Sequence, residues 1–216
     1  MIHNLGKNNS LINQFVAEIR DTEIQKDRMR FRKNIERIGE IMAYEISKTF
    51  SYETKEVNTP LGKAKMNLLN DQPVLGTILR AGLPFHQGFL NYFDRADNAF
   101  MSAYRHHLPD GNFEIKLEYF SSASLKNKIL IVADPMLATG SSMVMTLKQA
   151  FQYGVPKQTH VACVIASKKG IETVQHAFPD ATVWAAAIDE ELNSSAYIVP
   201  GLGDAGDLSY GEKTQQ

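Results

Sequence analysis

Residues 129–142 read ILIVADPMLATGSS. The first five are an unbroken apolar run, which is typical of a strand buried on both faces. The acidic Asp134 then leads into a turn that contains proline and glycine. Apolar residues at helical spacing follow from Ser142 to Tyr153, and Gly154 with Pro156 ends that helix. The stretch therefore predicts a buried strand, a short loop and a helix.

The same alternation of strand and helix recurs on both sides of this stretch. Strands that alternate with helices of roughly ten residues imply βαβ crossovers and a parallel sheet. We therefore expect the α/β class, with an open, mostly parallel sheet flanked by helices. Residues 113–119 alternate apolar and charged side chains, which predicts an antiparallel ribbon that projects from the sheet. The other predicted elements are strands at 73–79, 99–104, 160–166 and 182–188 and a helix at 169–177.

The N-terminal part of the chain is predicted to be helical. From Arg20 to Thr49, charged residues surround apolar ones at spacings of three and four, which indicates one amphipathic helix that ends near Phe50. Its charged side chains suggest a solvated face, with a subunit contact or an effector site as the alternative. A polar segment centred on residues 59–62 follows. We expect a single domain over residues 1–216, with a helical segment at 10–50, a core at 70–190 and a loop segment at 193–211.

Composition narrows the classes of partner. The chain has 216 residues, and 23 Lys and Arg against 24 Asp and Glu give a net charge of −1. Such a chain has no broad positive field for nucleic acid or membranes, so we expect neither as a partner. The one cysteine, Cys163, lies in an apolar run and is expected to be a buried strand thiol. With no signal peptide or membrane span in the sequence, we expect a cytoplasmic protein.

The loop of residues 134–142 has the groups that bind phosphate. Unpaired N–H groups in the first turn of the helix, together with the three hydroxyls of the loop, are able to donate to a phosphate without a lysine. Gly140 lets the backbone approach closely, and Asp134 is suited to accept from two vicinal hydroxyls of a sugar. The alternative is an N-capped helix in which Asp134 only caps the loop.

A second glycine-rich segment, residues 197–207, reads YIVPGLGDAGD. It contains Gly-x-Gly-x-x-Gly, but ten residues after Gly206 are too few for a dinucleotide-binding unit, and the sequence has no Gly-Lys-Ser/Thr of a Walker loop. Its main-chain groups are able to read a flat ligand such as a pyrimidine edge, which presents carbonyl, N–H and carbonyl. The alternative is a glycine-rich surface turn.

Together, the two segments resemble those of the uracil phosphoribosyltransferase family. Further stretches resemble that family in the same order, at 37–45, 59–62, 78–83 and 104–105, so the resemblance covers roughly residues 20–211. It implies the type I phosphoribosyltransferase fold with a small base-binding hood. It also implies transfer of a phosphoribosyl group from 5-phosphoribosyl 1-pyrophosphate (PRPP) to uracil, giving UMP and pyrophosphate. Mg²⁺ would be the cofactor, held through the substrate pyrophosphate and not by a metal site of the protein.

The resemblance also assigns roles to single residues. Arg80 and Arg105 would grip the pyrophosphate, and Asp134, Arg105 and Asp204 would be the catalytic residues. An ion pair at the surface is the alternative for Arg80, although a planar guanidinium after a buried strand suits a bidentate grip on phosphate. PRPP would bind at Arg80, Arg105, Asp134, Pro135, Met136, Leu137, Ala138, Thr139, Gly140, Ser141, Ser142 and Asp204, and uracil at Tyr197, Ile198, Gly203, Asp204 and Ala205.

The chain departs from the family pattern at several positions. The family usually has a second glycine where Ser141 stands and an arginine where Leu208 stands. Without that arginine, we expect the loop of residues 201–211 to lack an anchoring ion pair and to be mobile without ligand. The stretch 106–112 lacks the acidic-threonine-leucine-glutamate-proline run that the family usually has, and we expect His106 and His107 in it to be solvent-exposed loop residues and not metal ligands.

Two other functions stay open on the sequence. One is a non-catalytic or regulatory homologue that senses PRPP or pyrimidine nucleotides, although an RNA-binding regulator should show a basic stripe with exposed aromatic residues. The other is an enzyme of the same fold that acts on a different base. In each case the partners are small molecules, and a homo-oligomer, either dimer or tetramer, is expected.

Overall fold

The structure, a computed structural model, describes residues 1–107 and 113–213, with the backbone alone for 103–107 and 113–118. Its helices are α1 (Leu11–Arg20), α2 (Arg28–Ser47), α3 (Gly82–Leu90), α4 (Ser141–Ala150), α5 (Lys168–Ala177) and α6 (Ala205–Tyr210). Its strands are β1 (Ile2–Asn4), β2 (Tyr52–Thr59), β3 (Gly62–Leu69), β4 (Val74–Leu79), β5 (Asp97–His107), β6 (Phe113–Ser122), β7 (Ile129–Ala133), β8 (Met136–Leu137), β9 (Gln158–Ser167), β10 (Thr182–Asp189), β11 (Glu191–Leu192) and β12 (Ile198–Val199).

An eight-stranded sheet forms the centre of the described chain, in the order β1-β10-β9-β7-β4-β5-β6 with β8 beside β9. Its described pairs are parallel except for β5 with β6. The inner strands β4, β7 and β9 are buried almost throughout, as their apolar runs predict. The expected α/β class with a mostly parallel sheet is therefore confirmed.

Helices cover both faces of the sheet. Ile12 of α1, Ile35 of α2 and Phe85 of α3 belong to the core on one face. Leu147 of α4 belongs to the core on the other face, together with apolar residues of α5. Cys163 in β9 is fully buried, which confirms the expected strand thiol, and burial raises its pKa. With its faces covered in this way, the sheet is open to ligands at the ends of its strands.

The N-terminal helical segment is broken where one helix was expected. α1 ends at Arg20, and α2 begins at Arg28 after a short turn. Asp21 accepts from the backbone N–H groups of the two residues at 23 and 24, and Asp27 accepts from those at 29 and 30. Aspartates that bond to nearby backbone N–H groups compete with a continuous helix and favour caps. The prediction of a helix that starts at Arg20 was therefore wrong, although its end is close to the predicted one.

A hairpin stands away from the sheet. β2 and β3 pair over all eight residues, from Tyr52 with Leu69 to Thr59 with Gly62. Every residue of β2 is exposed, and β3 is almost as open. We expected only a polar segment here, because charged residues on both faces of the hairpin hide the alternation of a strand. The predicted ribbon at 113–119 does pair antiparallel with β5, but it lies in β6 at the edge of the central sheet.

Candidate active site

The turns that follow β4 and β7 lie side by side, because these two strands are neighbours in the sheet. Arg80 follows β4 and Asp134 follows β7. The Thr77 hydroxyl donates to the carbonyl of Ala133 at 3.3 Å, and a Cβ on Gly82 would lie 2.2 Å from that hydroxyl oxygen. Both turns are thus packed against each other, which places the two predicted site residues at one edge of the sheet.

Asp134 begins the predicted phosphate loop. Its N–H donates to the carbonyl of Ala162 at 3.0 Å, which ties it to β9. Burial raises the pKa of its carboxyl to about 7, and a hydrogen bond from the N–H of Met136 opposes that shift. A carboxyl that is neutral for part of the time near pH 7 would gain its charge when hydroxyl donors of a ligand approach it.

The middle of the loop rejoins the sheet. The Pro135 carbonyl accepts from the N–H groups of Val164 at 3.0 Å and Ile165 at 2.9 Å, and β8 then pairs with β9. Pro135 and Leu137 are buried. Their side chains therefore pack in the core, and only their main chain is available to a ligand.

Gly140 is the N-cap of α4 and has left-handed backbone, with φ of +82°. The helix begins at Ser141, one residue before the predicted start, and the Ser141 N–H donates to Thr139 Oγ1 at 3.3 Å. A Cβ on Gly140 would lie 2.7 Å from the carbonyl oxygen of Gly170 in α5. The packing of α5 therefore requires glycine at this position, and the close approach of its backbone to a ligand stays a prediction.

Ser167 was missed by sequence reasoning. Its hydroxyl donates to the carbonyl of Ala138 at 2.5 Å and accepts from the N–H of Gly170 at 2.8 Å. A Cβ on Gly170 would lie 2.5 Å from the carbonyls of both Leu137 and Ala138. The start of α5 therefore packs against the backbone of the predicted phosphate loop and fixes its position. A serine between an apolar strand and a helix is an N-cap signal that the sequence does contain.

The predicted base-reading residues lie around β12 and the start of α6. Ile198 is buried and pairs with Leu192 of β11, while Tyr197 is exposed. Gly203 is exposed with φ of +95°, and Ala205 is buried. The structure therefore brings the predicted uracil residues into one loop, with Gly203 open to solvent.

Asp204 is the N-cap of α6. Its Oδ1 accepts from the N–H groups of Gly206 at 2.8 Å and Asp207 at 3.0 Å. These bonds explain its place at the start of the helix. They use one carboxylate oxygen, and Oδ2 has no hydrogen-bond partner among the described residues, so it is able to meet a ligand.

Arg80 joins the two halves of the site. Its Nη2 donates to Asp207 Oδ1 at 3.0 Å and to the carbonyl of Gly211 at 3.2 Å. Both side chains are about one third exposed, at 38% for Arg80 and 32% for Asp207. The ion pair considered as an alternative role for Arg80 is thus present. Its buried Nε has no partner among the described residues, so a donor remains for a ligand.

Leu208 packs against the core formed by α1, α2 and α3. The loop around it is fastened by the pair of Arg80 and Asp207 and by a 2.7 Å bond from Arg32 Nη1 to the carbonyl of Ser209. The expectation that this loop lacks an anchor was therefore wrong, because other arginines from distant parts of the chain hold it.

Arg105 lies in β5, opposite Ile115 of β6, and its side chain is outside the described part of the structure. The same holds for the side chains of His106 and His107. The backbone of His106 and His107 forms the last two residues of β5, so the prediction that they lie in a loop was wrong.

In the ranges whose side chains the structure describes, 1–102 and 119–213, no three His, Cys, Asp or Glu side chains are grouped so that they could hold a metal. None of the helices described there has the length and apolarity needed to cross a membrane.

The loop after β7, the arginine after β4 and the parallel sheet between covering helices define a phosphoribosyltransferase of type I. Two solved structures share this fold. The AQ2163 protein from Aquifex aeolicus has a TM-score of 0.87 and 31% identity, with all of both chains covered. The orotate phosphoribosyltransferase of Mycobacterium tuberculosis H37Rv, in complex with PRPP, has a TM-score of 0.53 and 12% identity, over 86% of this chain and 94% of that one.

Sequence comparison narrows the class further. The profile of the uracil phosphoribosyltransferase family matches residues 7–212. The uracil phosphoribosyltransferase of Porphyromonas gingivalis is 55% identical over 214 residues, which covers 99% of each chain. The chain therefore belongs to the uracil phosphoribosyltransferase family, as the resemblance in its sequence predicted.

Proposed function

We propose that this chain transfers the phosphoribosyl group of PRPP to N1 of uracil, giving UMP and pyrophosphate. The observation that carries the proposal is one shared edge of the sheet. The pairing of β4 with β7 puts the Arg80 turn beside the loop at 134–142, and the ion pair of Arg80 with Asp207 brings α6, which follows the loop at 198–205, to the same edge. Membership of the uracil phosphoribosyltransferase family supports the choice of base.

The phosphate half of the site orients the sugar. The N–H groups at the start of α4 and the hydroxyls of Thr139 and Ser141 bind the 5′-phosphate, and Asp134 accepts from the ribose hydroxyls. Arg80 and Arg105 neutralise the charge that develops on the leaving pyrophosphate as the bond from C1 to oxygen breaks. These contacts hold C1 in line with the base, which supplies the orientation part of the rate enhancement.

The base half reads uracil through the main chain. Donors near Gly203 and Ala205 and the backbone of Ile198 match the alternating carbonyl, N–H and carbonyl edge of uracil. Hydrogen bonds to the uracil carbonyls favour its N1 anion, so no strong general base is needed. Cytosine would place an amino donor against a main-chain donor, which leaves buried polar groups unpaired at a cost of about 1–3 kcal/mol.

The residues of this site fit an Mg²⁺ ion that would bind together with PRPP, through its pyrophosphate. Asp204 keeps Oδ2 for a ligand while Oδ1 caps α6, so it is suited to share a metal that arrives on the pyrophosphate. When bound, the ion would add positive charge at the leaving group. The protein's own part is then to hold the diphosphate with Arg80 and to orient Asp204 through its cap bonds.

A spectrophotometric assay of UMP formation tests the proposal. We expect product from uracil and PRPP, loss of activity with EDTA that Mg²⁺ restores, and a rate with cytosine at least about tenfold lower. Equal rates on the two bases would exclude main-chain reading of uracil. Binding of PRPP without product at saturating substrates would instead favour the non-catalytic sensor.

Two variants locate the chemistry. Asp134→Asn removes charge from the ribose contact and should lower kcat/KM by about 10- to 100-fold with the fold intact. Asp204→Asn keeps an N-cap oxygen while it removes the carboxylate, so activity should fall without loss of Tm. The exposed Asp94→Asn is the matched control for loss of one charge. Wild-type kinetics in either site variant would remove that residue from the site.

We also propose that the protein is a homo-oligomer, a dimer or a tetramer, in the cytoplasm. The hairpin of β2 and β3 is exposed on both faces, and an isolated two-stranded hairpin is marginal in water, so a second copy is its expected support. Light scattering should give a mass at or above two chains, and a shortened hairpin lacking residues 54–67 should lower it. A monomeric mass for the full chain would refute this part. The buried reduced thiol of Cys163 suits the cytoplasm.

A further inference from the structure

Gly201 has both of its peptide groups bound to the same pair of side chains. Its N–H donates to Asp189 Oδ2 at 2.9 Å, and its carbonyl accepts from Arg20 Nη1 at 2.9 Å. Arg20 also donates to both carboxylate oxygens of Asp189, each at 2.8 Å. The three residues therefore form a closed ring of charge-assisted hydrogen bonds, which are stronger and more directional than neutral ones.

This ring sits at the centre of the base-reading loop. Gly201 has φ of +57° and lies between Ile198 on one side and Gly203 to Ala205 on the other. A Cβ there would lie 2.1 Å from the carbonyl oxygen of Ile198, so the chain turns back tightly at this residue. Fixing both peptide groups of Gly201 therefore fixes how the two base-reading segments face each other.

The N-terminal segment holds the next residue as well. The carbonyls of Leu202 and Ile19 both face the Gln25 side-chain amide, which assigns the amide nitrogen to that side. In this orientation the nitrogen donates to each carbonyl at 3.0 Å. Gln25 lies in the turn between α1 and α2, and Arg20 ends α1. Two successive residues of the loop, Gly201 and Leu202, are thus fastened to the same turn.

Asp189 is buried, and Arg20 makes three hydrogen bonds inside the ring. Arg20 is 22% exposed and Asp189 is 9% exposed, and the ring uses both oxygens of Asp189. Their effect on a reaction would therefore pass through the backbone of Gly201. This distinguishes them from Arg80, which keeps a free donor.

We propose that Arg20 and Asp189 are positioning residues that set the affinity and selectivity for the base through Gly201. The proposal rests on the proposed function, in which residues 198–205 read uracil. An arginine is required because its planar fork reaches two carboxylate oxygens and a carbonyl at once, which the single nitrogen of lysine does not do. Asparagine at 189 would point a donor at another donor, since both Arg20 and the Gly201 N–H already donate there.

The test compares Arg20→Lys and Asp189→Asn with the wild type. We expect each variant to raise the uracil KM about tenfold, the scale of one lost charged hydrogen bond, and to reduce the preference for uracil over cytosine. PRPP KM and the kcat at saturating uracil should stay within about twofold, because the phosphate half of the site is untouched. The double variant should be no worse than the more affected single one, because both act through one residue.

Arg30→Lys is the matched control. Arg30 also makes a two-bond pair, to Glu18 with both distances 3.0 Å, but its pair joins α2 to α1 without contact to the base loop. Its kinetic constants should match those of the wild type. Equal effects of Arg30→Lys and Arg20→Lys, or an unchanged uracil KM in Arg20→Lys, would overturn the proposal. A wild type that makes no UMP would instead refute the proposed function, so the two failures are distinct.

Discussion

The Arg80 guanidinium lies 3.0 Å from Asp207, which is 127 residues away in sequence. The turn after β4 therefore also holds the start of α6. Under the proposed function, this link would couple the binding of PRPP to the binding of uracil. Arg80→Lys keeps the charge but loses the planar fork, so we expect the PRPP KM to rise about tenfold and the uracil KM to rise less. Asp207→Asn should do the reverse, because it frees α6 and leaves the Arg80 charge in place.

Steady-state kinetics with each substrate varied in turn separates these effects. Lys63→Arg, on the exposed hairpin, is a control for a change of cation that touches neither loop. If both variants raise only the PRPP KM, Asp207 acts on Arg80 alone and the coupling is absent. If both lose thermal stability with no change in either KM, the pair is structural.

The raised pKa of Asp134 predicts a pH-dependent stability. The folded protein keeps this proton up to about pH 7, whereas an unperturbed aspartate loses it near pH 3.8. Between these values the folded state binds more protons than the unfolded chain, so its stability falls as pH rises. Asp134→Asn removes this effect. The Tm of the variant minus the Tm of the wild type should therefore increase by about 4 °C or more from pH 4 to pH 8.

Differential scanning fluorimetry across that range measures the difference. The exposed Asp94→Asn should run parallel to the wild type at every pH. Parallel curves for Asp134→Asn as well would mean that the Asp134 carboxyl is already solvated and ionised in the folded protein.

Gly140→Ala should destabilise the protein through α5. An alanine in left-handed backbone costs about 1–2 kcal/mol, and here the added Cβ would also lie 2.7 Å from the Gly170 carbonyl. Gly203→Ala is the matched control, because its φ is +95° and the nearest atom to an added Cβ is 4.0 Å away. We expect a clearly larger fall in Tm for Gly140→Ala, and an equal fall in both would show that α5 yields without cost.

Leu208→Arg should lower stability and leave the uracil KM no tighter than in the wild type. The leucine packs against the core, and the loop already has anchors at Asp207 and Ser209. Loss of the apolar contact should cost about 1–2 kcal/mol, a fall of roughly 2–8 °C in Tm. Leu208→Met, which conserves volume, should be close to neutral. A uracil KM that falls in the arginine variant would restore the view that this position lacks an anchor.

The strand, loop and helix of the proposed phosphate half could be predicted because they are contiguous in sequence. One strand, one loop and one helix between residues 129 and 150 carry it, and apolar runs and a glycine mark their limits. What the sequence did not predict is the support beneath it. Ser167 and Gly170 reach the loop from a different strand and helix, and their role follows from the parallel pairing of β8 with β9.

The base half was recognised as a loop, but its fastening was not predicted. Arg20 and Asp189 are 169 residues apart, and nothing in either local pattern points to the other. The charges of α1 and α2 were interpreted mainly as a solvated face, and the helix break at Asp21 and Asp27 was missed with them. Hydrogen bonds from backbone N–H groups to the side chains of Asp21 and Asp27 cause that break. The free-energy difference between these bonds and a continuous helix is small, so the sequence pattern does not reveal it.

The bond from Arg20 to Gly201 spans 181 residues, so it joins the end of α1 to a loop that is synthesised much later. At the usual rate of about 5–20 residues per second, α1 would wait roughly 10–40 s on the ribosome for that partner. A translation product that stops before residue 189 would contain the phosphate loop but neither acceptor for Arg20. The proposed base-reading loop therefore gains its contact with Arg20 only after residue 201 has been synthesised. The proposed phosphate loop at 134–142 is made earlier.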